Sequence, residues 1–208
     1  MIELLTADTP NGKKISIMLE EINYDYKITK ININKDEQFK PEFKKLSPFS
    51  KIPVIIDHDM KTSLFESGAI LIYLGEKSGK FYDKSHRTNI NQWLMGQMAY
   101  VGPMLGQHHQ FHHYNPGKSE FGENRYFKIS ERIYKELDER LSQSIFLAGK
   151  DYTIADIATF PWIARHEWHD IGLKKFKNLT RWYDEISSRD AVKRGYDLFK
   201  KGDQIPKA

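Results

Sequence analysis

The apolar and polar positions of this chain change their period along its length. Near the N-terminus "IELLT" is a short apolar run bounded by turn formers, the pattern of a buried strand over Ile2–Thr6. Beyond Lys14 the apolar residues Ile15, Met18, Leu19 and Ile22 fall at helical spacing, and "NYDY" (23–26) should stop that helix. "YKITKINI" (26–33) alternates apolar with polar and predicts a second strand. "KPEFKKLSP" (40–48) reads as a short helix, with Pro41 suited to its first turn and Pro48 ending it. "IPVIID" (52–57) and "TSLF" (62–65) are two further strands joined by the turn "HDMK", and "ESGAILIYLGEKSG" (66–79) is a helix closed by Gly79. The predicted order is βαβαββα.

Around "SGKFYDKSHR" (78–87) this pattern breaks, and no strand is expected beyond it. A long helix over 87–107 carries a weak point at Gly102-Pro103. "ENRYFKISERIYKELDERLS" (123–142) is strongly periodic, with Ile129, Ile133, Leu137 and Leu141 four apart. Helices over "TIADIATFPWIARHEWHDIG" and "NLTRWYDEISSR" follow, then a short tail helix around 193–200. The expected domains are a mixed α+β unit over 1–79, a linker over 80–87 and an all-α unit over 88–208.

Composition narrows the chemistry by what it lacks. Of 208 residues none is cysteine, so disulfides, thiolate metal sites and a protein-borne cysteine nucleophile are all excluded. The 32 basic and 28 acidic side chains nearly balance, leaving a formal charge of +4, and no basic stripe or module speaks for a nucleic-acid partner. No apolar run approaches a membrane span, and Glu3 and Asp8 sit where a secretory leader would begin. A cytoplasmic protein is the expectation.

Four motifs stand out, and each has a plain structural reading. In "SKIPVI" (50–55) Pro53 enters a predicted buried strand, where proline is tolerated in trans. A cis Ile52-Pro53 bond would instead turn the backbone of Ile52 outward to pair with an extended peptide-like ligand. In "LFESGAI" (64–70) Glu66 or Ser67 serves as a helix cap, or the same turn holds a ligand carboxylate on Ser67 and its N–H while Glu66 accepts from an ammonium. "DYTIADIATFPW" (151–162) sets Thr153 three residues before Asp156, a capping box whose loss should cost about 1–2 kcal/mol. "QHHQFHH" (107–113) spaces His108 and His112, and His109 and His113, four apart, yet no carboxylate motif joins them and no metal site is expected. A His-lined wall that favours anions at mildly acid pH is the preferred reading.

In that order and spacing, "IPV", "ESGAI" and "TIAD" resemble the cytosolic glutathione transferase family over essentially the whole chain. "TPNGKKI", "QFKPEF", "LFESGAILIYL" and "GPMLGQHHQFHHY" look like its nu-class bacterial branch, related to the fungal nitrogen-regulator and prion branch. The resemblance implies a thioredoxin-like first domain and an all-α second one. It further implies one or two bound glutathiones, a homodimer, and reduction of small disulfides by glutathione at a cleft between the domains. Conjugation to electrophiles, reduction of organic hydroperoxides and a non-catalytic glutathione-binding regulatory role are the alternatives.

By residue, the resemblance puts Asn11, with Thr9 close by, at the catalytic position, where each can donate a hydrogen bond to a ligand sulfur. "TPNG" alone also reads as a loop with a Thr or Asn cap. Gln38 is implied at the glycyl end of glutathione, Ile52 and a cis Pro53 at the cysteinyl unit, and Glu66 and Ser67 at the γ-glutamyl end. Arg125 is implied at a carboxylate of a second glutathione; by itself it reads equally as a solvated helix arginine. Phe49 and Ser50 stand where close relatives tend to carry polar amides.

Overall fold

A computed structural model describes all of residues 1–208. Its residues divide into two compact units: Met1–Tyr82 with Arg189–Gln204, and Asp83–Ser188 with Ile205–Ala208.

The first unit is built on a four-stranded sheet, β1 Ile2–Thr6, β2 Tyr26–Lys30, β3 Val54–Asp57 and β4 Thr62–Phe65, in the order β2-β1-β3-β4. β1 runs parallel to β2 and antiparallel to β3, and β4 closes the edge antiparallel to β3. The parallel pair needs a crossover, which α1 (Pro10–Ile22) supplies. Leu5, Val54 and Phe65 are cross-strand partners on one face, and Phe43 of α2 (Pro41–Leu46) covers them. Alternation sends Leu4 and Ile55 to the other face. There α1 packs beside α3 (Ser67–Ser78), with Ile15, Met18, Leu19, Ile70 and Leu71 all fully buried.

The element order matches the prediction, and the bounds shift for local reasons. α1 begins at Pro10 rather than near Lys14, because Pro at the first turn lacks only a donor the helix would leave unpaired anyway. β2 stops at Lys30 instead of reaching Ile33, which opens a 3₁₀ turn, Ile33–Lys35, and a second one, Glu37–Phe39, follows.

The tail helix α9 (Asp190–Tyr196) was expected in the helical domain, over 193–200; it packs instead on α1, in the first unit. Gly195 permits the approach, since a Cβ there would lie 2.5 Å from the Cα of Ile17. The Ser16 hydroxyl donates to the Gly195 carbonyl and Lys13 Nζ donates to that of Tyr196. Arg189 adds a two-pronged bond to Glu21.

The second unit is helical throughout its regular elements: α4 Arg87–Gly96, α5 Gly102–His108, α6 Glu120–Ser142, α7 Ile154–Ile163 and α8 Lys177–Ser188. The single long helix expected over 87–107 is divided by a π-helical turn at Gln97–Val101, and a second one, His109–Tyr114, carries the chain past the histidines to Asn115. The Thr153–Asp156 capping box is present. Asp156 is wholly buried and also accepts the Leu147 N–H at 2.9 Å and the Trp182 indole N–H at 2.9 Å, so it ties α7 to α8 and to the preceding turn as well as capping a helix. No helix is long and apolar enough to cross a membrane.

Candidate functional site

The sheet register brings three of the sequence motifs to one end of the first unit. Leu5 pairs with Val54 and Val54 with Phe65, so the end of β1, the start of β3 and the end of β4 lie side by side. From that edge the chain leads into Thr9–Asn11, comes in from Ile52–Pro53, and leaves through Glu66–Ser67. β2 ends at the same edge, where the Ile31 N–H donates to the Thr6 carbonyl at 2.8 Å, and Gln38 lies in the second 3₁₀ turn beyond it.

Thr9 is the N-cap of α1. Its backbone is extended (φ −137°, ψ 159°), and its hydroxyl oxygen accepts the Gly12 N–H at 3.1 Å. A hydroxyl has lone pairs to accept with and one proton to give, so the cap leaves the Thr9 proton available as a donor. Asn11, half-buried in the same first turn, adds an amide. A Cβ at Gly12 would stand 2.4 Å from Thr6 Oγ1 and 2.5 Å from the Ala7 carbonyl, so only glycine lets α1 start this close to the end of β1. The result is a helix N-terminus carrying about half a positive charge, a hydroxyl donor and an amide, held against the sheet. Such a place stabilises an anion, a thiolate included.

The Ile52-Pro53 peptide bond is cis, and Ile52 lies just outside the β3 ladder, which begins at Val54. Glu66, at the N-cap position of α3, has φ 70° and ψ 114°, a backbone conformation a non-glycine residue seldom adopts. Its side chain makes no capping bond and is exposed, so the carboxylate stands clear of the helix it precedes. Ser67, at the first helical position, is buried and accepts from Lys14 Nζ at 3.2 Å. Of the plainer readings, the Thr9 cap holds and a Glu66 side-chain cap does not.

Lys14 is the residue that pattern reading missed. It is 1 % exposed, and burial pushes its ammonium down to about 7 while the charge of Glu66 pulls the other way. The available signal was its place four residues before Met18 and eight before Ile22, in line with the buried stripe of α1. Its neighbour Lys13 is equally buried but serves the fold: Nζ lies 3.0 Å from Asp8 and 4.0 Å from the centre of the Tyr196 ring.

Gln38 Nε2 makes only a long contact, 3.4 Å, to the Ile33 carbonyl. Arg125 lies on α6 in the second unit, exposed and without an ion pair. Phe49 is 71 % exposed and meets the Phe65 ring edge-on.

The histidines of the second unit form a buried aromatic stack rather than a metal cage. His109 Nε2 lies 2.8 Å from His169 Nε2, and His169 Nδ1 lies 2.6 Å from the Tyr134 hydroxyl. His112 reaches Asp170 at 2.8 Å. No group of three or more histidine or acidic side chains is arranged to hold a metal ion. Burial, above all, lowers His108, His109 and His169, and His109 falls to about 3. His109 is therefore neutral at mildly acid pH, and the lowering of His108 and His169 works against the charge that the anion-favouring wall required.

Comparison with known proteins fits this geometry. The family model of the glutathione S-transferase N-terminal domain matches residues 3–76, and that of the C-terminal domain matches residues 109–190. The disulfide-bond oxidoreductase YfcG of Escherichia coli K12 is 41 % identical, with 98 % of each chain covered. A glutathione transferase from Burkholderia graminis, crystallised with two glutathione molecules per subunit, superposes with a TM-score of 0.90 at 38 % identity, covering 97 % of this chain and 89 % of that one. One from Pseudomonas putida, with one glutathione disulfide per subunit, gives 0.87 at 38 % identity, covering 95 % of this chain and 91 % of the other. This chain belongs to the glutathione transferase family, with its thioredoxin-like first domain and helical second one.

Proposed function

We propose that the protein is a glutathione-dependent oxidoreductase of small disulfides. One observation carries the reading: a chain without cysteine presents, at the start of α1, a threonine whose hydroxyl caps the helix and still has its proton to donate. That is a socket for a sulfur anion the protein does not own. The name of YfcG and the glutathione disulfide bound in the Pseudomonas putida structure support the choice of disulfide chemistry.

In this reading the cysteinyl sulfur of glutathione sits beside Thr9 and Asn11. Ile52, with Pro53 behind it, pairs by backbone with the cysteinyl unit. Gln38 meets the glycyl end, and Glu66 and Ser67 take the ammonium and carboxylate of the γ-glutamyl end. Arg125 neutralises a carboxylate of a second glutathione. The first thiolate attacks one sulfur of the substrate disulfide; a mixed disulfide forms and one substrate thiolate leaves and takes up a proton. A second glutathione thiolate attacks the glutathione sulfur of that mixed disulfide, releasing the other substrate thiol and glutathione disulfide. Two glutathiones are oxidised and one disulfide reduced. Neither Thr9 nor Asn11 is a base near neutral pH, so the protein contributes position and electrostatics. A two-fold homodimer in the cytoplasm completes the proposal.

The test is a side-by-side assay with glutathione on a hydroxyethyl disulfide, an organic hydroperoxide and an aromatic electrophile. Disulfide turnover should be fastest. A disulfide rate equal to the uncatalysed one contradicts the reading: faster conjugation or peroxide reduction would replace it, and glutathione binding without any turnover would point to a regulatory module.

A further inference from the structure

Lys14 breaks a rule of the fold it sits in. Met18 and Ile22 continue its line along α1 toward α3, and both are buried and apolar. A methionine at position 14 would fill similar space without the cost of taking an ammonium out of water. Positions that break a local rule in a well-packed element are where function is first sought.

The geometry of the neighbourhood says which function. Lys14 Nζ donates to Ser67 Oγ at 3.2 Å. A hydroxyl that accepts from an ammonium on its inner side must aim its own proton elsewhere. Ser67 opens α3, at the positive end of that helix. Glu66, one residue earlier, holds an exposed carboxylate on a backbone of φ 70°. Beneath the turn is a positive charge with its serine relay; on its outer side is a negative one. That arrangement complements an α-amino acid head group, whose carboxylate faces Ser67 and whose ammonium faces Glu66.

We infer that Lys14 is a positioning residue for the γ-glutamyl carboxylate, acting through Ser67, and that its protonation controls how tightly this end of the ligand is held. The inference rests on the proposed binding of glutathione at Glu66–Ser67. The lowered ammonium at Lys14 supports it, because a charge this close to release responds to pH near neutrality. Glu66 is the charged group that acts on Lys14, whereas Lys13 is directed to Asp8 and Asp203.

The experiment measures affinity for S-methylglutathione by calorimetry in the wild type, Lys14→Met and Lys14→Arg, from about pH 6 to about pH 9, a range spanning the lowered lysine. The thiol is blocked, and the ligand's own amine titrates alike in every titration. Thermal melting checks that each variant is folded. At the acid end Lys14→Met should bind about tenfold more weakly. Its deficit should shrink toward the alkaline end as wild-type Lys14 loses its proton. Lys14→Arg keeps its charge throughout and should lose less of its affinity than the wild type on going alkaline. A Lys14→Met that binds as tightly as the wild type, or more weakly by a factor that does not change with pH, overturns the inference and leaves the glutathione site standing. A wild type that binds no S-methylglutathione overturns both.

Discussion

Thr9 and Gly12 are joined by a hydrogen bond of 3.1 Å in which the threonine oxygen accepts the glycine N–H. The bond caps α1, and it fixes the hydroxyl where its proton can be given to a sulfur at the same helix end. Thr9→Val keeps the shape and removes both roles; Thr9→Ser keeps both. Thr9→Val should lower the disulfide-reduction rate by about a hundredfold, the scale of losing one well-placed donor to a developing anion. The lost cap should cost about 1 kcal/mol in urea unfolding. Thr9→Ser should stay within about threefold of the wild-type rate, since its donor and cap survive. If Thr9→Val and wild type share one rate, the donor is not Thr9 and Asn11→Ala becomes the decisive variant.

Gly12 is required by contact rather than by backbone angle. Gly12→Ala would push a methyl to 2.4 Å from Thr6 Oγ1 and 2.5 Å from a carbonyl, which backbone must yield to. The expected cost is about 1–3 kcal/mol. Because the yielding part is the start of α1, glutathione affinity should fall with stability. Calorimetry with glutathione on the folded variant checks this; unchanged affinity would show that the approach of α1 to β1 does not shape the site.

The sequence carried the first unit well because its signals are local. The apolar run of β1, the helical spacing of Ile15, Met18, Leu19 and Ile22, and the proline before β3 each mark an element by themselves, and their order sets Thr9–Asn11, Ile52–Pro53 and Glu66–Ser67 on one sheet end. What was not legible depends on distant partners. α9 joins α1 through Gly195 against Ile17, a match that periodicity does not report. The π-helical turns each add a residue to a helix whose apolar spacing barely changes. Lys14 was passed over because lysine is by default a solvated residue, and its bond to Ser67 joins residues far apart in the chain.

Asp156 shows the opposite case, a residue whose work is structural. It accepts from Thr153, Leu147 and Trp182 while wholly buried. Asp156→Ala strands four donors at once and should destabilise by about 3 kcal/mol, above the cost of a simple cap. The melting temperature should drop by several degrees while the turnover of the folded fraction stays unchanged. A large fall in turnover at wild-type stability would contradict this assignment.

The histidine stack predicts acid lability. Burial holds His108, His109 and His169 below the ordinary imidazole range, so the folded protein keeps them neutral while the unfolded chain takes up protons near 6.5. The unfolded state binds more protons in that window. Stability is therefore full above about pH 6.5 and is lost as pH falls toward the folded values, about 3 for His109. Melting temperatures measured between neutral and mildly acid pH should fall. His109→Leu, which removes one of the three groups, should fall less steeply. A flat profile in the wild type would mean that these rings charge as readily folded as unfolded.

The central claim is that a protein with no cysteine lowers the proton affinity of its ligand's thiol at the α1 N-terminus. Thiolate ultraviolet absorbance of bound glutathione, titrated with pH in wild type and Thr9→Val, tests it most directly. The account predicts a bound thiol that ionises at least about one unit below the ordinary value near 8.5, with most of that shift lost in Thr9→Val. A bound thiol that titrates like free glutathione in both proteins would contradict it.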